Sequence, residues 1–310
     1  MRVLLTGAFG FLGGRIAERL AREHEVVLSG RAVPAPLATW AQRFETRCAD
    51  LIGESDLRAL VRGADAVLHL AALDEHEAHG RPLEALAVSA EATRRLVEAC
   101  RHEAVARFAF ASTIHVYGSL TGAALTEDSP TRAAHPYAIA HLAGEGFCRQ
   151  AFAAGYPCVI LRLSNGYGCP VWRAVDRWSL AHNDFCRQAV ATGAIRLASP
   201  GQQQRDFVWV DDIAQAAARV LAAEPARLGD GVFNVGGDQL LTIRELAQRV
   251  QARAELALGR AIAVEWPASD TPAGPPVRFA IDRLRALGFA PSDHLDEETD
   301  RILALIASAS

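Results

Sequence analysis

The chain has 310 residues, is 50% apolar and carries a net charge of −4. That is enough apolar material for a sizeable core, without the excess of positive charge that a general binder of nucleic acid or of an anionic membrane surface needs. All 32 of its Lys/Arg residues are arginines, so chemistry that requires a lysine amine is closed to it.

The N-terminal half alternates short apolar runs with helical patterns, the sequence form of a parallel sheet built from βαβ units. Strands are expected at Arg2–Thr6, Val26–Leu28, Ala66–Leu70, Arg107–Ala111 and Cys158–Leu163, with helices over Leu12–Arg22, Ser55–Val61, Pro82–His102 and Pro136–Ala154. After Gly168 the pattern loosens. A helix over Asp176–Thr192 is followed by a turn at Gly201–Gln204 and a short strand at Val208–Val210. Helices over Asp212–Ala223, Thr242–Leu256 and Leu295–Ala307 follow, with a Pro-rich segment, Ser269–Pro276, before the last. No apolar run reaches the roughly 20 residues of a membrane span. Met1-Arg2 runs straight into Val3-Leu4-Leu5, so neither a leader nor a membrane partner is expected, and the expected location is cytoplasmic. The six cysteines (Cys48, Cys100, Cys148, Cys158, Cys169 and Cys186) form no CxxC pair, which points to reduced, mostly buried thiols.

Between the first strand and first helix, "TGAFGFLGG" places Gly7, Gly10 and Gly13 where a tight turn, close approach to a pyrophosphate and tight helix–strand packing are needed. With Phe9, Phe11 and Leu12 they put a helix N-terminus against phosphate, where free N–H groups and the helix dipole favour an anion. The second strand ends Ser29-Gly30-Arg31 with no carboxylate to accept from a ribose 2′-hydroxyl. Arg31 suits a 2′-phosphate, so NADP is the expected cofactor and NAD the alternative; a solvated loop arginine is the plainer reading of Arg31. Asp50 and Leu51, and Leu70, Ala71 and Ala72, fall where they line the same dinucleotide. Thr113 and His115 follow the strand end in "FASTIHVYG", at the edge where open α/β sheets carry their chemistry. In "HPYAIAH", Pro136 suits a first helical turn and sets Tyr137 and His141 on one face. His76 and His79 in "LDEHEAHG" read as part of a loop bordering a substrate mouth, and no metal site is expected.

Together, "TGAFGFLG", "STIHVYG", "PYAIAHLAGE", "RLSNGYG", "RDFVWVDD", "FNVGG" and "LGFAP" resemble, in order and over nearly the whole length, the extended short-chain dehydrogenase/reductases of the NAD-dependent epimerase/dehydratase family. The resemblance implies an α/β fold: a Rossmann-type doubly wound parallel sheet over 1–167, joined by about 205–237, with a smaller α/β substrate-binding C-terminal domain over 168–310. It implies proton exchange by Tyr137 with help from Thr113, and a cofactor contact near Ser89 in place of the family's asparagine. It also exposes a departure. The family's Tyr-x-x-x-Lys has His141 at the lysine position, a ribose ligand whose charge would depend on a partner such as Glu145. Thr113-Ile114-His115 lacks the two carboxylates of the 4,6-dehydratases, which discounts dehydration. Asn165, Tyr167, Arg205 and Arg278 match positions that hold the diphosphate and nucleoside of a nucleotide sugar; for the arginines the alternative is an ion pair with Asp206 or Asp282. The expected function is a nucleotide-sugar ketoreductase or epimerase, working as a homodimer. The alternatives are an NAD-retaining 4-epimerase and a dinucleotide-binding protein that lost catalysis with its lysine.

Overall fold

The computed structural model describes residues 1–118, 124–175, 177–268 and 276–308. The strands, in chain order, are β1 (Arg2–Thr6), β2 (Glu25–Gly30), β3 (Glu45–Cys48), β4 (Ala66–His69), β5 (Arg107–Thr113), β6 (Ala124–Leu125), β7 (Cys158–Leu163), β8 (Asn165–Tyr167), β9 (Ala194–Arg196), β10 (Gln204–Trp209), β11 (Val232–Val235), β12 (Leu240–Thr242), β13 (Ala263–Glu265) and β14 (Arg278–Phe279). Seven of them form one sheet in the order β11-β7-β5-β4-β1-β2-β3, every neighbouring pair parallel. Strands β4, β5, β7 and β11 are buried along their whole length. Helices therefore cover both faces, as parallel sheets require. The chain runs outward from β1 in one direction through β2 and β3, and in the other through β4, β5 and β7. The switch point thus lies between β1 and β4, where open α/β sheets bind their ligands.

A second sheet, β12-β10-β8, and the pairs β13-β9 and β14-β6 are built mainly from the C-terminal half. Helices Ala181–Thr192, Ile243–Leu258 and Leu295–Ala307 pack around Phe185, Cys186, Leu246, Val250 and Ile302. The buried Arg15 guanidinium joins the halves. It donates to Asp211 Oδ1 at 2.7 Å, to both oxygens of Glu298 at 3.0 Å and to the Cys169 carbonyl at 2.8 Å.

Several element bounds differ from the expectations. The Pro82–His102 helix is interrupted: helix Pro82–Leu86 passes through a wider π turn, Ala87–Glu91, into helix Ala92–His102. "LDEHEAHG" is not an open loop. Asp74 caps a short helix, Glu75–Gly80, in a reciprocal capping box with Glu77. The helix expected from Asp176 starts at Ala181; Asp176 and residues 269–275 of the Pro-rich segment lie outside the described residues. Strand β10 begins at Gln204, inside the expected turn. All six cysteines are free thiols, five buried and Cys48 exposed.

Beneath the C-terminal ends of β5 and β7, Glu145 accepts from Arg162 Nε at 2.9 Å and Nη2 at 2.7 Å, and from Ser112 Oγ at 2.7 Å. Both ionic side chains are essentially inaccessible. Glu145→Gln should leave the Arg162 guanidinium buried without its counter-ion and lower unfolding stability by about 3–5 kcal/mol. A urea midpoint within error of the parent's would contradict this.

Candidate active site

Gly7, at the end of β1, adopts φ = +70°, and a Cβ there would lie 2.7 Å from the Ala71 backbone nitrogen. A Cβ on Gly13 would come within 2.2 Å of the Gly7 carbonyl oxygen. The turn therefore holds β1, the loop after β4 and helix Phe11–Leu20 closer than any side chain allows. Two adjoining cavities open from it. One, of about 540 Å³, is lined by Gly7, Phe9, Gly10, Arg31, Asp50, Leu51, Leu70, Ala71 and Ala72. The other, of about 730 Å³, is lined by Phe11, Leu12, Gly13, Thr113, His115, Tyr137, Asn165, Tyr167 and Arg205 among others, and shares Gly7, Phe9, Gly10, Leu70 and Ala72 with the first. A glycine cradle at a helix N-terminus, continuous with an elongated cleft, fits a dinucleotide.

Strand β5 delivers Thr113, and the 3₁₀ turn Ile114–Tyr117 that follows turns His115 toward the same cavity. Thr113 Oγ1 accepts the His115 N–H at 3.2 Å, and Thr113 lines the same cavity as the Tyr137 phenol, whose pKa it draws down. Tyr137 sits in the first turn of helix Pro136–Ala153, with Pro136 at its start. Burial pushes the phenol above its usual range; Arg177 pulls it down, while Glu75 pushes it up. The resting side chain is therefore a protonated phenol.

His141 departs from the expectation. It is 3% exposed and lines neither cavity. Its Nδ1 donates to the Tyr137 carbonyl at 2.8 Å, and its ring lies against Phe110 (centroids 5.9 Å apart, 26°) and Tyr137 (4.2 Å). Desolvation drives its pKa to about 4, so it is neutral at pH 7. It packs behind the tyrosine with Nδ1 committed to the helix backbone. Glu145 does not hold its proton either, being committed to Arg162 and Ser112.

Two further expected residues lie off both cavities. Ser89 is buried in the π turn with its carbonyl accepting from Thr93 Oγ1 at 2.7 Å, and it lines neither cavity. Arg278 is exposed, pairs with Asp282 at 3.1 Å and lies off both cavities. Arg205 lines the larger cavity, and its only described hydrogen bond is to its neighbour's carbonyl, Gln204 O, at 3.4 Å. Asp206 instead accepts from Ser164 Oγ at 2.5 Å and the Gly237 N–H at 2.9 Å. Asn165 is anchored to the Asp206 carbonyl, and the Tyr167 hydroxyl accepts from the His294 N–H. Asp74, Glu75 and Arg177, none of them foreseen as site residues, also face the larger cavity, with Arg177 paired to Asp74 at 2.8 Å.

Residues 3–236 match the profile of the NAD dependent epimerase/dehydratase family. The chain belongs to that family. It is accordingly an enzyme of the NAD(P)-dependent sugar-nucleotide epimerase/dehydratase group. It is 32% identical to a UDP-glucose 4-epimerase of Mycolicibacterium smegmatis, over 79% of this chain and 80% of that one. It is 28% identical to an uncharacterised UDP-glucose epimerase of Bacillus subtilis, over 99% and 98% respectively. Among solved structures, a UDP-glucuronic acid 4-epimerase variant from Bacillus cereus, crystallised with a fluorinated UDP-sugar and NAD, superposes with a TM-score of 0.82 at 26% identity over the full length of both chains.

Two outcomes follow from the site's electrostatics. Tyr137→Phe should lower turnover by about 10²–10⁴-fold, the range for a positioned acid–base group, with dinucleotide affinity unchanged by calorimetry. The buried rings of His69, His141 and His182 have pKa values pushed down to about 3, 4 and 4, so the unfolded chain binds more protons than the folded one below about pH 6.5. Asp206, raised to about 6, opposes with one proton. Stability should therefore fall as pH drops from about 6.5 toward 4; denaturation midpoints that rise over that interval would contradict the burial of these rings.

Proposed function

We propose that this enzyme is an NADP(H)-linked ketoreductase of nucleotide sugars. The observation that carries the reading is the Tyr137 phenol, held protonated beside Thr113 in a cavity that also contains Arg205. A nicotinamide dinucleotide, when bound, supplies the hydride. Tyr137 gives its proton to the carbonyl oxygen as that oxygen becomes an alkoxide, and the Thr113 hydroxyl holds the same oxygen in place. A phenol that rests protonated is ready to act as the acid of reduction, whereas the reverse step requires something to remove that proton first. Arg205, with no carboxylate partner among the described residues, is placed to take the substrate's diphosphate with its planar fork. Arg31 lines the smaller cavity just past the end of β2, where a 2′-phosphate would lie.

An NAD-retaining 4-epimerase is the second reading. It is favoured by the likeness to the Mycolicibacterium UDP-glucose 4-epimerase and to the Bacillus cereus UDP-glucuronic acid 4-epimerase, which was crystallised with NAD. The nucleotide released on denaturing the purified protein separates the two: exchangeable NADP(H) supports the reductase, and NAD that survives gel filtration supports the epimerase.

NADPH should bind more tightly than NADH by calorimetry, and Arg31→Asp should abolish the difference. Equal affinities in the parent would remove the NADP assignment. Arg205→Ala should weaken UDP binding by about 1.5–3 kcal/mol, the scale of a hydrogen bond to a charged group. Arg278→Ala, off the cavity, should leave it unchanged. UDP affinity indifferent to Arg205 would direct the search to a ketone without a nucleotide.

A further inference from the structure

Three side chains from separate segments meet beside the larger cavity, which Glu75 and His115 line. Glu75 is in the first turn of helix Glu75–Gly80, His115 is in the 3₁₀ turn after β5, and His135 is the N-cap residue of helix Pro136–Ala153. Glu75 Oε1 lies 3.3 Å from His115 Nε2 and 3.9 Å from His135 Nε2. One donor atom from each of the three lies within 4.8 Å of the other two. The imidazoles meet edge to face with centroids 5.4 Å apart, and His135 stacks on Tyr137 at 6.1 Å and 9°. Neither carboxylate–imidazole separation is a well-formed hydrogen bond. The three groups converge on a common centre without satisfying one another.

We propose that Glu75, His115 and His135 form a divalent-cation site of the two-histidine, one-carboxylate type, suited to zinc, with its open position toward the cavity holding Tyr137. Metal–ligand bonds of about 2.0–2.2 Å in a tetrahedron set neighbouring donor atoms roughly 3.3–3.5 Å apart. The two Glu75 separations, 3.3 and 3.9 Å, bracket that value, and the histidine nitrogens, within 4.8 Å of each other, close to it with side-chain rotation. Three protein ligands leave one position free, the pattern of a working rather than a structural zinc site. The local field does not by itself draw in a cation. Arg205 bears on His115, and Arg177 takes up the charge of Asp74. The site must therefore hold its ion by coordination, and imidazole donors select a borderline ion such as zinc over oxygen-seeking magnesium or calcium. The identity of the fourth ligand, a sugar hydroxyl, carbonyl or carboxylate oxygen, rests on the nucleotide-sugar reading above; the ligand set does not.

The test is a titration of chelator-treated protein with cobalt(II), a spectroscopic stand-in for zinc, followed by zinc competition and calorimetry. The expected result is one equivalent per chain, with visible bands of tetrahedral cobalt that zinc displaces. His135→Ala and Glu75→Gln should each weaken binding tenfold or more, while His79→Ala, exposed at the end of the same helix as Glu75 and outside the cluster, leaves it unchanged. Absence of the bands overturns the proposal. So does binding that survives both His135→Ala and Glu75→Gln while circular dichroism shows the fold retained. Addition of UDP-glucose should shift the bands. Unmoved bands, at concentrations where calorimetry shows UDP-glucose bound, overturn the open position toward the cavity. If no nucleotide sugar binds at all, it is the substrate reading that fails, and the cobalt and zinc titrations still decide the site.

Discussion

The buried Arg15 guanidinium fixes the relation on which the rest of the molecule depends. It lies on the helix that leaves the glycine turn, and its partners are Asp211 at the start of helix Val210–Ala222, Glu298 on the C-terminal helix and the Cys169 backbone. Glu298 in turn accepts from the Cys169 N–H and from Trp209 Nε1. One charge cluster thus ties the phosphate-facing helix to the segments that build the far wall of the cavity. Such a cluster contributes less to net stability than to uniqueness, because the cost of desolvating its charges offsets much of their attraction, while any alternative packing would leave one of them unpaired. The separation between the glycine turn and residues 165–167 is set by this contact.

Within that frame the chemistry turns on a missing positive charge. A lysine four residues after the tyrosine combines two roles, a hydrogen-bond donor to the ribose and a fixed cation that favours tyrosinate. His141 stands at that position in this chain. The imidazole is packed between Phe110 and Tyr137 with Nδ1 committed to the helix backbone, and a ring so enclosed stays neutral. A neutral imidazole there fills space under the tyrosine and supplies no fixed positive charge. Arg177 is the positive side chain that acts most on the phenol, and the effect of burial exceeds it.

The parts of the molecule legible in the sequence were those with a strong local signature. The glycine turn is dictated by backbone geometry, and the buried parallel strands announce themselves as unbroken apolar runs. Tyr137, Thr113 and Arg205 could be placed because each sits at a fixed offset from such an element. What escaped was whatever depends on where a side chain points. His141 shares a helix face with Tyr137 but lies one turn deeper, so the same spacing that suggested a joint site buried it. Glu145, another turn on, meets Arg162 from β7, a partner 17 residues away that no helical periodicity reveals. Arg278 is captured by the local pair with Asp282, four residues on. The convergence of Glu75, His115 and His135 joins three segments that only the folded sheet brings together; the reading of "LDEHEAHG" fixed on His76 and His79 and passed over the residue beside them.

The π turn at Ala87–Glu91 gives the cleft a phase angle. It holds one residue more than a regular helical turn; the segment before it contributes Arg81 and Glu84, and the turn itself Val88, to the wall of the smaller cavity. An α-helix advances by about 100° per residue. Loss of any single residue from the turn would let the helix run straight and swing that wall through roughly a quarter revolution, replacing its face with another. The outline of the smaller cavity is thus encoded in a count of residues, and a one-codon deletion at Ala87 or Ser89 would reshape it without removing any residue that lines it.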